Sequence, residues 1–257
     1  MGLYPNILFH FTSKDALYAI LADAFKPSYA RETILSKDTK RYFGVPMVSF
    51  CDLRLSELGS FVSSSVKPKY GNFGIGLTKE WANRSGLNPV LYVSRHAELV
   101  DDLVTGVDQL FAFAKNETDA TRSSAMHRSV TSVMNTYRFI KNYEGDLDRT
   151  GMAVVPDYRF ADEREWRFVP SINRQDILAF ARIGSDWAKD KAKLNASVQN
   201  ERLHFGPDDV KYLIVEKEAD IWELMDCLKG ATHKYDEKSV MELSSRILTV
   251  EQIEQDI

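Results

Sequence analysis

The sequence predicts an α/β chain of the α+β kind, built around a mostly antiparallel β-sheet with inserted helices. Three observations predict it. Short segments in which apolar and polar residues alternate recur from residue 6 to residue 250. Two long stretches, 97–115 and 121–142, carry apolar residues at 3.6-residue spacing and stand between strand-like segments. The composition, 44% hydrophobic and 27% charged over 257 residues, is that of a globular chain long enough for one principal domain. We therefore expect a single domain over 1–257 with a helical insertion at about 97–142.

The elements follow in order. Residues 6–11 should form a first strand, with Ile7, Phe9 and Phe11 on one face and Leu8 and His10 on the other. Thr12 or Ser13 then caps a helix that packs through Ala16, Leu17, Ile20 and Leu21. The stretch 26–45 holds Pro27, the basic residues Arg31, Lys37, Lys40 and Arg41, and Tyr42 and Phe43, and it reads as a long irregular loop. A second strand is expected at 46–52 and a short helix from Leu55. Residues 70–77, Tyr-Gly-Asn-Phe-Gly-Ile-Gly-Leu, read as a strand broken by glycines where a backbone or another molecule comes close.

A short helix around Glu80 to Ala82, a strand at 90–94 and the two inserted helices come next. A short helix over 175–180 precedes a polar, poorly patterned stretch at 186–200. A strand at 210–215, a helix at 220–228 and a strand at 246–250 end the pattern, before an acidic tail expected to fray.

A formal net charge of -4 argues against general affinity for polyanions, while leaving room for a local basic groove in the 31–41 segment. No apolar run is long enough to span a membrane, and the N-terminus lacks the pattern of a secretory signal. Cys51 and Cys227 stand alone without CxxC spacing, which suits a reducing cytoplasm and supplies no zinc framework. No HExxH, Walker or GxSxG motif occurs, and no metal site is expected.

The segment 160–169, Phe-Ala-Asp-Glu-Arg-Glu-Trp-Arg-Phe-Val, reads as a strand with Glu163, Glu165 and Arg167 on one face and Arg164, Trp166 and Phe168 on the other. In a cleft, such a carboxylate wall could stabilise a cationic sugar transition state or orient a nucleophile. The alternative is an edge strand with a solvated charged face. His10 and Ser49 likewise have plain explanations, as a structural hydrogen bonder and a half-buried strand residue.

Their order along the chain carries a resemblance. The segments His10-Phe11-Thr12-Ser13, 46–52, 70–81, 88–92 and Glu163-Arg164-Glu165-Trp166-Arg167 resemble the ADP-ribosyltransferase-like superfamily, and in detail the abortive-infection phage-resistance family called AbiGi. The resemblance covers about residues 7–169 and implies a split, twisted, mostly antiparallel sheet with helices inserted between its halves. It implies a mono-ADP-ribosyltransferase-like effector of bacterial phage defence or of a toxin–antitoxin system, taking NAD as substrate and modifying a macromolecular acceptor: RNA, DNA or protein.

It further implies that Glu165 would face the ribose whose nicotinamide bond breaks, where cationic character develops. Loss of that residue would then cost on the order of 10²–10³-fold in rate. Glu163 would orient the acceptor. His10, Thr12 and Ser13 would hold the adenosine side together with Phe11, Ser49 would brace the strand, and Tyr70 or Phe73 would stack on nicotinamide. The alternative is a non-catalytic antitoxin or phage-sensing interaction protein of the same fold, with a cognate toxin as partner. Either would act in the cytoplasm.

Overall fold

The computed structural model describes residues 5–35, 40–63, 71–148, 153–173, 177, 181–182 and 187–255. β1 (Ile7–Thr12) runs into α1 (Lys14–Ala22), whose first turn is capped by Ser13, the Ala16 N–H donating to Ser13 Oγ at 3.4 Å. β2 (Ser28–Leu35) and β3 (Lys40–Cys51) follow, then α2 (Leu55–Ser63), β4 (Phe73–Thr78), α3 (Lys79–Arg84), β5 (Asn88–Pro89) and β6 (Leu91–Val93). The inserted helices are α4 (Glu98–Asn116) and α5 (Ala120–Tyr137). Next come β7 (Ile140–Asn142), β8 (Gly145–Leu147), β9 (Val155–Tyr158), a 3₁₀ turn (Phe160–Glu163), β10 (Glu165–Phe168), β11 (Ala181–Arg182) and α6 (Trp187–Ser197). The chain ends in β12 (Val210–Val215), α7 (Ala219–Gly230), α8 (Glu237–Ser244), β13 (Ile247–Thr249) and α9 (Val250–Gln255).

The main sheet has the order β13-β12-β4-β1-β3-β10-β5, with β2 and β11 also paired to β3, nine strands among the described residues. Its pairings are antiparallel except β12 with β13, as the alternating pattern predicts. Alternation sorts the side chains between two apolar layers. One face of the sheet packs Leu8, Val48, Phe50, Ile75 and Leu77 against Leu17, Leu21, Trp81 and Leu224 of the helices. The other face packs Phe9, Phe11 and Cys51 against Leu58 and Ile253. A third layer joins Phe43, Val45 and Met47 of β3 to Val100, Val104, Val107 and Tyr137 of the inserted helices.

The split falls between β1 and β3. Phe9 pairs with Cys51, but His10 reaches across to Ser49 with its side chain, Nδ1 donating to the Ser49 carbonyl at 2.8 Å. The imidazole stands in for a ladder bond, and cavities open on either side of it.

The segment 26–45 is corrected most. The irregular basic loop is instead the antiparallel pair β2 and β3, registered from Ser28↔Met47 to Leu35↔Lys40. Ile34, Phe43 and Val45 pack on one face toward the inserted helices and Tyr29 on the other against Ala181 and Val198, while the basic side chains stay at the surface: Arg31 and Lys40 approach the Tyr42 ring at 5.9 and 5.2 Å, and Arg41 pairs with Asp108 at 2.6 Å. Lys37 lies outside the described residues. Glu163 also moves. It closes the 3₁₀ turn, and the left-handed Arg164 (φ 43°) separates it from the strand that Glu165 begins. The second inserted helix ends at Tyr137, giving way to β7, and the poorly patterned 186–200 stretch contains α6. The tail expected to fray forms α9, anchored by the buried Val250 and Ile253. The helix expected over 175–180 falls mostly outside the described residues.

Candidate functional site at the split in the sheet

A cleft of about 440 Å³ opens where β1, β2, β3 and β10 converge, lined by His10, Phe11, Ser49, Glu163 and Glu165 together with Arg31, Glu32, Lys141, Asp148, Trp187 and Lys191. A second cavity of about 450 Å³ adjoins it beneath α1, and His10, Ala30, Met47 and Ser49 form the shared wall. Strand geometry explains the gathering. Glu165 and Arg167 sit opposite Cys51 and Ser49 and point to one side of the sheet, while Trp166 and Phe168 pack into the apolar layer on the other.

The carboxylates are buried and bonded. Glu165 Oε1 accepts from Ser49 Oγ at 2.6 Å and Arg167 Nε at 2.7 Å, and Oε2 accepts from Lys141 Nζ at 2.8 Å and Arg167 Nη2 at 3.1 Å. Its backbone N–H donates to the Tyr92 hydroxyl at 2.9 Å. Glu163 accepts from Lys141 at 3.1 Å and from the Tyr158 hydroxyl at 3.0 Å. Arg167, 0% exposed, also pairs with Glu32 at 3.1 Å and donates to the Arg138 carbonyl. Among the described residues, Glu32, Glu163 and Glu165 thus share the two cations Arg167 and Lys141.

Burial pushes the Glu165 pKa upward, but Arg167 and Lys141 outweigh it and hold the carboxyl well below its usual range. Burial likewise lowers the His10 pKa, partly offset by its bond to the Ser49 carbonyl, so the ring is neutral and Nδ1 is its donor. Tyr92, shielded in the same cluster, is pushed up to about 12, chiefly by burial. Among the described residues no group of three or more His, Cys, Asp or Glu side chains could hold a metal ion.

The residues singled out in the sequence fall into three groups. His10, Phe11, Ser49, Glu163 and Glu165 line the first cleft, and Thr12 lines the second. Ser13 lines neither and caps α1 instead, while Phe73 is buried in the main apolar layer. Tyr70 lies outside the described residues. The sequence did not disclose Lys141, Glu32, Tyr158 or Tyr92. Lys141 falls within the stretch whose spacing reads as helix, so nothing local marks it as the cation between two distant carboxylates. Arg167 did carry a signal, since alternation put it on the face of Glu165.

A family model described as "Putative abortive phage resistance protein AbiGi, antitoxin" matches residues 23–216. The chain belongs to the AbiGi family. Among curated proteins, it is 24% identical over 253 residues to the abortive phage resistance protein AbiGi of Lactococcus lactis subsp. cremoris, covering 91% of this chain and 99% of that AbiGi protein. No solved structure matches. The AbiGi match spans β2, β3 and β10, and so most of the cleft. Among the described residues no helix is long and apolar enough to cross a membrane.

Proposed function

We propose that this chain acts in abortive phage resistance as an antitoxin, a non-catalytic protein that restrains a cognate toxin by binding it. The saturation of Glu165 carries the reading. A carboxylate that stabilises a cationic transition state must offer uncompensated charge toward the reacting sugar. Both oxygens of Glu165 already take charged donors, and Lys141 covers Glu163 as well. This bonding supports a structural role for these residues. Their evident work is to weld β3, β10 and β7 together on one side of the split. The family description agrees with this reading.

The test is genetic. Removing this gene while its toxin remains should arrest growth, and supplying the chain in trans should restore it. The purified chain should leave NAD intact. Failure to restore growth would overturn the reading.

One observation favours a second reading, transfer of ADP-ribose from NAD to a macromolecule: His10, Ser49, Glu163 and Glu165 do share one cleft, with a second cavity beside it. For Glu165 to act, Lys141 would have to leave it. Consumption of NAD by the wild type, lost in Glu165→Gln with the melting transition retained, would replace the antitoxin reading with this one.

A further inference from the structure

We propose that the protein pairs with a second copy of itself through α4, the two helices packing antiparallel about Gly106. The pairing is independent of the function proposed above. α4 buries Val100, Val104, Val107 and Ala114 against its own domain. A second apolar line runs beside this one: Leu99, Leu103, Gly106, Leu110 and Phe113, spaced so that they stack on one helix face. Leu103 is half-buried, but Leu99 is 62% exposed, Leu110 37% and Phe113 63%. The fold leaves Leu99, Leu110 and Phe113 exposed, while Leu103 packs partly against the domain's own apolar layer.

Gly106 lies at the centre of the line, with Leu99 and Phe113 the same distance along the helix on either side. Glycine weakens a helix interior, so its presence there needs a reason. The domain supplies none, because a Cβ at Gly106 would meet nothing within 4 Å. A backbone approaching from outside would supply one.

The line is self-complementary under a two-fold axis at Gly106. Leu99 of each copy then meets Phe113 of the other, and the glycines face each other at the closest point. Charge selects the antiparallel arrangement. The solvent edge of the line carries Glu98 and Asp102 in its first half, whereas the second half carries Gln109 and Asn116, with the exposed Arg122 at the same end in the first turn of α5. Antiparallel packing sets Glu98 and Asp102 of each copy beside Gln109 and Asn116 of the other, near its Arg122, and opposes the helix dipoles. Parallel packing would set acid against acid. A single helix pair of this length, about 28 Å at 1.5 Å per residue, buries a small interface, so the dimer should dissociate in the micromolar range.

Sedimentation of the full chain across a concentration series tests the pairing. The wild type should shift from monomer to dimer. Gly106→Leu should weaken the dimer at least about tenfold by wedging the helices apart, while the melting transition stays unchanged or rises, since the side chain enters open space and leucine is the better helix former. In a Cys227→Ser background, Gly106→Cys should cross-link on mild oxidation, because the axis brings two thiols within disulfide reach. Thr105→Cys, turned about 100° around the helix, should not. A wild type that sediments as monomer throughout would overturn the pairing. So would a dimer indifferent to Gly106→Leu that Gly106→Cys fails to trap.

Discussion

Replacing Glu165 by alanine would take from the fully buried Arg167 its closest carboxylate, leaving Glu32 and the Arg138 carbonyl among the described residues, and would take from Lys141 the nearer of its two glutamates. Breaking a buried ion pair from one side costs about 3–5 kcal/mol, because the stranded charge keeps its desolvation penalty. We expect a loss of that size for Glu165→Ala in urea denaturation. Glu165→Gln should lose less, since the amide keeps the shape and one acceptor for Ser49 or Arg167. Lys141→Met tests the opposite side: it leaves Glu163 and Glu165 facing each other with one cation fewer, and should destabilise by a similar amount. A ΔG unchanged in all three would mean the network is dispensable to folding. At this scale the sequence disclosed part of the site. Alternation placed Glu165 and Arg167 on one face, and it placed Trp166 and Phe168 on the apolar side, but it could not disclose Lys141, whose partners lie 22 and 24 residues away.

β4 shows what the sequence says about an element and what it withholds. Its glycines signal a close approach, and the approaching groups are the aromatic rings of β1: Phe9 lies opposite Gly76 and Phe11 opposite Gly74. A Cβ at Gly76 would fall 2.8 Å from Phe9 Cε1, and Phe9 is too tightly buried to yield. Gly76→Ala should therefore cost about 1–3 kcal/mol from overpacking, whereas Gly106→Ala, in open space, should cost nothing. Paired thermal melts would separate the two glycines. At the following turn, Thr78 caps α3 by accepting from the Trp81 N–H at 3.1 Å, and Thr78→Ala should cost about 1 kcal/mol in the same assay. The hairpin of β2 and β3 was missed for a reason of the same kind. Its charges and the preceding Pro27 read locally as a loop, yet strand pairing over the whole length and buried side chains on both faces decide the conformation, and the local preference yields.

Over the whole molecule, the mostly antiparallel order was legible because alternation survives in nearly every strand, while the place of the split was not, because it depends on one side chain replacing one backbone bond between β1 and β3. That replacement ties stability to pH. Burial keeps His10 neutral in the folded chain, its pKa lowered from 6.5, so below about pH 6.5 the unfolded chain binds a proton that the folded chain refuses, and stability falls with pH. Glu165 adds a second loss at lower pH. Its folded pKa is depressed below the ordinary 4.5, so its contribution is complete above that value and disappears progressively as pH falls beneath it. The urea midpoint should thus decline in two stages on acidification, the first setting in below about pH 6.5 and the second below about pH 4.5. His10→Asn can still donate an N–H toward the Ser49 carbonyl but does not titrate, and it should flatten the first stage while leaving the second. An unchanged first stage in that variant would show that another group, and not the bridge across the split, sets the response.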